Sequence, residues 1–202
     1  MKNFKEILNE RGNITKFIPN HEIKKEEIEE MIRMAGKSPS GWNLQHWHFK
    51  VFHTDKSKEL LFPIAYYQKQ IIDSSAVIAV LADTQANENF DTVYSELVNE
   101  NIISEKIRDT LLHQVTRSYQ YEENALEHAF TNAAMAAITL VYAVESMGYN
   151  SGIIGGFNKQ GFVDSFCTDQ RYKPIVLIPI GLKSESAHIS RRIDSKDLTT
   201  WL

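Results

Sequence analysis

The sequence predicts a β-sheet with helices packed on both of its faces, and three stretches lead to that prediction. Residues 76–82 are continuously apolar, which is typical of a strand buried on both sides. Residues 174–180 form a second apolar run of strand length, with Pro179 near its end. Residues 122–147 are predicted to form one long helix whose apolar side chains cover nearly its whole circumference, so this helix should be enclosed.

The elements before the first buried strand follow from the spacing of apolar residues. A short first helix is expected to end near Arg11 and Gly12. Residues 24–36 predict a second helix, because apolar side chains form one stripe and glutamates enrich its first half. In residues 47–53, Phe49 and Val51 alternate with the polar residues His48 and Lys50, which predicts the first strand.

The other predicted helices are short or polar. They span residues 57–61, 66–72, 90–98, 103–115 and 159–166. The polar pair between residues 90 and 115 is expected to cover a pocket. The chain then ends in a long tail with a basic pair and two terminal apolar residues, which suggests that the tail docks on another surface, such as a second subunit.

Composition excludes several classes of protein. Hydrophobic residues make up 43% of the chain and charged residues 24%, as in an ordinary soluble domain. The net charge of -4 does not indicate a surface that binds nucleic acid. The single cysteine, Cys167, rules out an internal disulfide and is expected to be a buried hydrophobe. The start of the chain lacks the apolar core of a signal peptide, and the uncharged run at 133–144 is shorter than the roughly 20 residues that span a membrane. A cytoplasmic location is therefore expected.

The apolar helix at 122–147 also bears on assembly. A chain of 202 residues can hardly surround such a helix by itself. The sequence therefore predicts a homodimer with this helix in a shared core, while a monomer built around a central helix stays as the alternative.

A loop at residues 37–49 has more chemistry than a connector requires. Ser40, Asn43 and Gln45 offer hydroxyl and amide groups beside the indole of Trp42, and Gly41 allows close backbone approach. These groups suit a flat heterocycle with a hydrogen-bonding edge. An ordinary capped loop is the alternative.

Two further segments are candidates for ligand contact. Arg11, Asn13 and Thr15 surround a glycine and could seat a phosphate, although a solvated arginine at a helix end explains them equally well. The glycine pair 155–156 follows two isoleucines and would let backbone lie against a ligand face, or would simply form a bulge.

Most catalytic motifs are absent. The chain has no nucleophile elbow, Walker phosphate loop, dinucleotide fingerprint, zinc-protease motif or paired Cys-x-x-Cys. His46 and His48 lie on one side of the first strand, but no third ligand is suitably spaced, so no metal is predicted. Since no side chain stands out as a catalytic residue, a bound cofactor with its own reactivity is favoured.

Five segments in order resemble the FMN-dependent nitroreductases. Residues 11–17 resemble the Arg-x-Ser-x-Arg/Lys-x-Phe start of that family, and residues 38–47 its Ala/Ser-Pro-Ser-Ser-x-Asn-x-Gln-Pro-Trp loop. Residues 68–80, 153–157 and 192–194 match later segments in the expected order. The similarity is closest to small bacterial members with Gly-Gly where others have Glu-Gly.

The resemblance implies an α+β fold, with three α/β/α layers around a mixed central sheet. It also implies an intertwined homodimer of single domains over residues 1–202, with 182–202 wrapping the partner and two FMN sites at the interface. NAD(P)H would reduce the FMN, which would then reduce nitroaromatic, quinone or related small acceptors by a ping-pong hydride mechanism. No catalytic side chain, metal, nucleic acid or membrane is implied.

The resemblance assigns roles by position. Residues 11–15, with an arginine of the tail, would meet the FMN phosphate and ribityl chain, and residues 40–43 would come from the other subunit. Gln70 would reach the pyrimidine edge, Ile154 would lie against the ring, and the Gly155 N–H would point at N5. The implied cofactor-binding residues are Arg11, Gly12, Asn13, Thr15, Ser40, Gly41, Trp42, Asn43, Gln45, Gln70, Ile154, Gly155, Gly156, Arg191 and Arg192.

The sequence departs from the family pattern at several of these positions. Thr15 and Gln70 stand where the family often has Lys or Arg, His46 replaces a proline, and Gly12 and Asn13 replace bulkier or hydroxyl residues. These changes predict weaker FMN retention or a lower reduction potential. They also leave open a non-catalytic flavin-binding or sensing protein, and the apolar helix alone leaves open a dimeric interaction protein without flavin.

Overall fold

The computed structural model describes residues 3–187 and 190–202, in which helices precede, separate and cover four strands. The strands are β1 (Trp47–Phe52), β2 (Ala76–Asp83), β3 (Asn150–Ser151) and β4 (Tyr172–Gly181). The α-helices are α1 (Phe4–Glu10), α2 (Lys25–Ala35), α3 (Asp55–Leu61), α4 (Gln70–Asp73), α5 (Phe90–Asn99), α6 (Glu105–Ser118), α7 (Glu122–Ser146) and α8 (Lys159–Phe166). Short 3₁₀ turns occur at Gly41–Asn43, Ala86–Asn89 and Ser195–Leu198.

The strands form one sheet in the order β1-β2-β4-β3. Every pairing is antiparallel, with Ile78 of β2 opposite Val51 of β1 and Ile178 of β4. The predicted α+β class is confirmed, but within the described chain the predicted mixed sheet is wrong. Burial on both faces, which is typical of parallel strands, arises here in an antiparallel strand because helices cover both sides of it.

Side chains of β2 alternate between two hydrophobic cores. Ile78 and Val80 pack with α2 and α7 on one face, while Val77 and Leu81 pack with α3 and α8 on the other. All eight residues of β2 are buried, as the uninterrupted apolar run predicted. A third, smaller core lies between α5, α6 and the loop before β1.

Helix α7 is buried on one side only within a single chain. Its face toward the sheet is buried, but Phe130 and Met135 are 40% and 39% exposed. The helix ends before Gly148, whose φ of 89° suits glycine. It is long and apolar enough to cross a membrane, yet it packs on α2 and the sheet as the core helix that the sequence predicted.

Several predicted boundaries differ from the structure, and α6, for example, is shifted by two to three residues from the predicted 103–115. The helix predicted at 66–72 is only the short α4, because Tyr66 and Tyr67 adopt φ of 53° and 56°, which an α-helix cannot accommodate. Helix α3 begins two residues earlier than predicted, since the Thr54 hydroxyl accepts a hydrogen bond from the Ser57 N–H and caps it.

Candidate functional site

A cavity of about 490 Å³ lies where the start and the end of the chain meet. Arg11 follows α1 directly, and its neighbours Gly12 and Asn13 line the cavity with it. Lys183 and Arg192 line it from the C-terminal side. The cavity therefore has three cationic side chains and one carboxylate, that of Glu10, in its walls, a net positive charge that suits a phosphate.

Two observations suit a polar ligand in this cavity. The Arg11 Nε is buried and has no hydrogen-bond partner among the described residues. A Cβ added to Gly12 would lie 2.1 Å from the Ala187 Cβ, so only glycine lets the tail pass this close. Arg191, by contrast, is exposed and does not line the cavity, and its carbonyl accepts a hydrogen bond from the Arg192 guanidinium.

The segment after Arg11 runs beside the segment that contains the glycine pair. The Ile14 N–H donates to the Ser151 carbonyl at 3.1 Å, and the Asn13 Oδ1 accepts from the Ile153 N–H. Thr15 is exposed next to this contact. The fold thus places two of the predicted ligand-binding segments side by side.

The glycine pair faces open space. A Cβ built on Gly155 or Gly156 would have no described atom within 4 Å, so a flat group has room against this backbone. The Ile154 side chain, in contrast, is 4% exposed and packs in the core, while its backbone exchanges hydrogen bonds with Leu177. The Ile154 side chain is thus part of the core, and the exposed isoleucine of this segment is Ile153. That Ile154 lies against a ring stays a prediction.

Gln70 reaches the glycine pair through a residue that the sequence did not single out. The Gln68 Nε2 donates to the Gly156 carbonyl at 2.9 Å, and the Gln70 Nε2 donates to the Gln68 Oε1 at 3.2 Å. The Gln70 Oε1 is buried and has no partner among the described residues. A second unsatisfied polar atom therefore belongs to a residue that Gln68 links to the glycine pair, and Gln68 is a candidate site residue that the sequence did not single out.

The loop before β1 has an unusual backbone conformation. Trp42, Asn43 and Gln45 all have φ near +50°, which is rare in residues other than glycine. The Gly41 N–H donates to Asn132 Oδ1 of α7 at 2.9 Å, and the Gln45 N–H donates to the Ser40 hydroxyl at 3.0 Å. Tertiary hydrogen bonds therefore hold this loop in a strained shape.

Within one chain this loop and the strand before the glycine pair are held by different parts of α7. Gly41 is bonded to Asn132 of α7, whereas Ser151, four residues before Gly155, is bonded to Glu145 of the same helix. The thirteen residues between the two helix positions correspond to about 20 Å at 1.5 Å per residue. The structure therefore brings the N-terminal, C-terminal and glycine segments together, but it does not bring the loop to them.

His46 lies beneath the loop and not in the site. Its side chain is completely buried, and neither ring nitrogen has a partner among the described residues. Burial, together with the nearby charge of His128, lowers the pKa of His46 to about 4, which Asp83 opposes. His46 is thus neutral at physiological pH, and the described residues contain no group of three or more metal-ligating side chains.

Comparisons with known proteins agree with this geometry. The family model "Nitroreductase family" matches residues 8–182. The chain belongs to the nitroreductase family. This confirms the predicted resemblance.

Individual relatives extend the match to the whole chain. YodC of Bacillus subtilis (strain 168), provisionally named an NAD(P)H nitroreductase, is 46% identical over 100% of both chains. A structure from Staphylococcus epidermidis, provisionally described as an NAD(P)H:FMN oxidoreductase, has a TM-score of 0.93 at 30% identity, covering 100% of this chain and 97% of that one. A provisionally assigned nitroreductase from Exiguobacterium sibiricum, in complex with FMN, has a TM-score of 0.93 at 27% identity and covers 100% and 98%.

Proposed function

We propose that this nitroreductase-family protein is an oxidoreductase that binds FMN and uses NAD(P)H to reduce small acceptors. The observation that supports this most is the cavity lined by Arg11, Lys183 and Arg192, whose residue Asn13 is hydrogen-bonded to Ile153 of the segment that carries the open backbone of Gly155 and Gly156. The relative from Exiguobacterium sibiricum binds FMN, and YodC and the Staphylococcus epidermidis protein are provisionally named for NAD(P)H-dependent activity.

The residues present fit the phosphate end of FMN. The cations of the cavity neutralise a phosphate of about -1.5 to -2 charge, and the unsatisfied Arg11 Nε gains a partner. Asn13 is committed to the Ile153 N–H, so its role is to hold the two binding segments together. Arg192, rather than Arg191, is the tail residue that meets the phosphate.

The residues also fit the ring end. The open backbone of Gly155 and Gly156 would hold the ring, and the unsatisfied Gln70 oxygen would accept a hydrogen bond from its pyrimidine edge. FMN held there would supply the hydride chemistry between NAD(P)H and the acceptor. This chain's residues orient the ring, neutralise the phosphate and exclude water, and no side chain serves as an acid or base. The acceptors are nitroaromatics, quinones or related small molecules, reduced in alternate half-reactions.

The active form is a homodimer in which the loop at residues 40–45 reaches the partner's glycine pair. Two observations support this assembly. The exposed stripe of α7 includes Phe130, Ala134 and Met135, an apolar surface that a second copy would cover. The loop is also hydrogen-bonded to Asn132 of α7, whereas the strand before the glycine pair is hydrogen-bonded to Glu145, about 20 Å further along the same helix. The C-terminal extension of this single-domain chain, residues 182–202, begins on its own chain, where the Ser184 N–H donates to the Lys16 carbonyl. Its last residues wrap the partner, which would bury Trp201, 91% exposed here. The protein is cytoplasmic and acts on neither membranes nor nucleic acid.

An absorbance spectrum of the purified protein, followed by anaerobic titration with NADH and NADPH, tests the proposal. We expect a flavin spectrum that bleaches with at least one nicotinamide and recovers when a quinone or nitroaromatic is added. Flavin that neither nicotinamide bleaches would instead favour the non-catalytic flavin-binding protein. A colourless protein that does not take up added FMN would favour the interaction protein.

A further inference from the structure

A buried carboxylate lies behind the wall of the phosphate cavity. Glu145, in the last turn of α7, is 5% exposed. Its Oε2 accepts from the Asn150 Nδ2 at 3.2 Å, and its Oε1 accepts from the Ser151 N–H at 3.2 Å and from the Ser151 hydroxyl at 3.4 Å. Burial raises the pKa of Glu145, and these hydrogen bonds oppose the shift. The described hydrogen bonds of this carboxylate thus all come from β3.

Strand β3 connects both sides of the cavity. The Asn150 Oδ1 accepts from the Lys183 N–H at 3.2 Å, and both residues line the cavity. The Ser151 carbonyl accepts from the Ile14 N–H, which joins the strand to the segment after Arg11. Since β3 has only two residues and pairs with β4 alone, its own ladder fixes it weakly.

The position of Glu145 is otherwise unfavourable. A carboxylate in the last turn of a helix opposes the helix dipole, and burying it carries a desolvation cost. Its negative charge also lies close to a cavity suited to an anion, and by Coulomb's law alone it would weaken phosphate binding. Fixing β3 against α7 accounts for a carboxylate at this position.

We propose that Glu145 is a positioning residue for the FMN phosphate, holding β3 so that Arg11, Lys183 and Arg192 converge on one point. The inference rests on the proposed function, because it takes FMN as the ligand. It assigns the residue an effect on the phosphate end of the cofactor and not on the ring end.

Equilibrium dialysis of the full-length protein against FMN, and separately against riboflavin, tests this role, since riboflavin lacks the phosphate. We expect Glu145→Leu to weaken FMN binding about tenfold, because buried donors lose their acceptor, and to change riboflavin binding less than about threefold. Glu145→Gln keeps an oxygen for Ser151 and should bind FMN within about threefold of wild type. Glu59→Leu, an exposed change on α3, is the matched control and should alter neither affinity.

The results separate this inference from the proposed function. Wild-type protein that does not bind FMN contradicts both. Wild-type binding with an unchanged Glu145→Leu affinity overturns the positioning role alone, and so does an equal loss for FMN and riboflavin. Tighter FMN binding by Glu145→Gln would show a purely Coulombic effect and would also overturn it. If Glu145→Leu does not fold, Ser151→Ala, which removes one donor to the carboxylate at a residue that does not line the cavity, replaces it, and a loss that is not selective for FMN overturns the role.

Discussion

Replacing His46 should remove a large part of the pH dependence of stability. The imidazole is completely buried and unpaired, and its pKa is lowered to about 4, mainly by burial. In the unfolded chain a histidine has a pKa of about 6.5. The unfolded state therefore binds more protons between these values, and the folded state loses stability as the pH falls through this window.

The magnitude follows from the two pKa values. The contribution of His46 is fully present above about pH 7 and declines by about 2 kcal/mol at pH 5 and about 3 kcal/mol at pH 4. His46→Met fills a similar volume and does not titrate. Since neither ring nitrogen has a described partner, this change forfeits no hydrogen bond, and the variant should be at least as stable as wild type at pH 7.5.

Urea unfolding of flavin-free protein at pH 7.5 and pH 5, at one fixed protein concentration, measures the difference. The loss of unfolding free energy between the two pH values should be about 2 kcal/mol smaller for His46→Met than for wild type. His113→Gln removes an exposed histidine from α6 and should keep the wild-type loss. If His46→Met and wild type lose the same free energy, the buried imidazole is not the acid-sensitive group.

Other changes test the ion pairs and the surface. The Arg171 guanidinium donates two hydrogen bonds of 2.6 and 2.7 Å to the Asp83 carboxylate. Arg171→Gln should lower the unfolding free energy in urea titrations by about 3 kcal/mol, because it leaves a buried carboxylate unpaired. Adding Asp83→Asn to this variant should recover part of the loss. Phe130→Glu should convert the proposed dimer to monomer in sedimentation experiments, whereas Leu60→Glu, at a more exposed position of α3, should not. Lys183→Gln should weaken FMN retention several-fold in dialysis and leave the flavin reduction potential unchanged.

Local patterns predicted the elements well where one physical cause dominates. The continuous apolar run of β2 and the apolar stripe of α2 correspond to buried faces. The helix expected at 66–72 failed because Tyr66 and Tyr67 take left-handed conformations, for which no local residue pattern provides a signal. The antiparallel order of the sheet also has no local signature, since a helix-covered strand is apolar whichever way its neighbours run.

The candidate site also contains residues that the sequence could single out and residues that it could not. Arg11 and the glycine pair could be named as candidates because guanidinium groups and paired glycines are distinctive residue types. Gln68, Lys183 and Glu145 were missed because their importance depends on which segments the fold brings together. A glutamine beside a carbonyl or a lysine beside a cavity looks like any surface residue in the sequence.

Lys183 adds a positive charge at the cavity proposed to bind the FMN phosphate. Thr15 and Gln70 stand where the family often has cations, and from this the sequence predicted weaker FMN retention or a lower potential. Lys183 lines the cavity with Arg11 and Arg192, so the phosphate end regains a positive charge, while nothing comparable lies beside Gln70 among its described contacts. FMN retention should then match that of other family members. The reduction potential of the flavin should be lower than theirs, because the anionic reduced ring lacks a nearby cation. Dialysis measures the FMN affinity and redox titration measures the flavin reduction potential, each compared with a relative that has lysine in place of Thr15. A reduction potential equal to that of the relative would contradict the prediction.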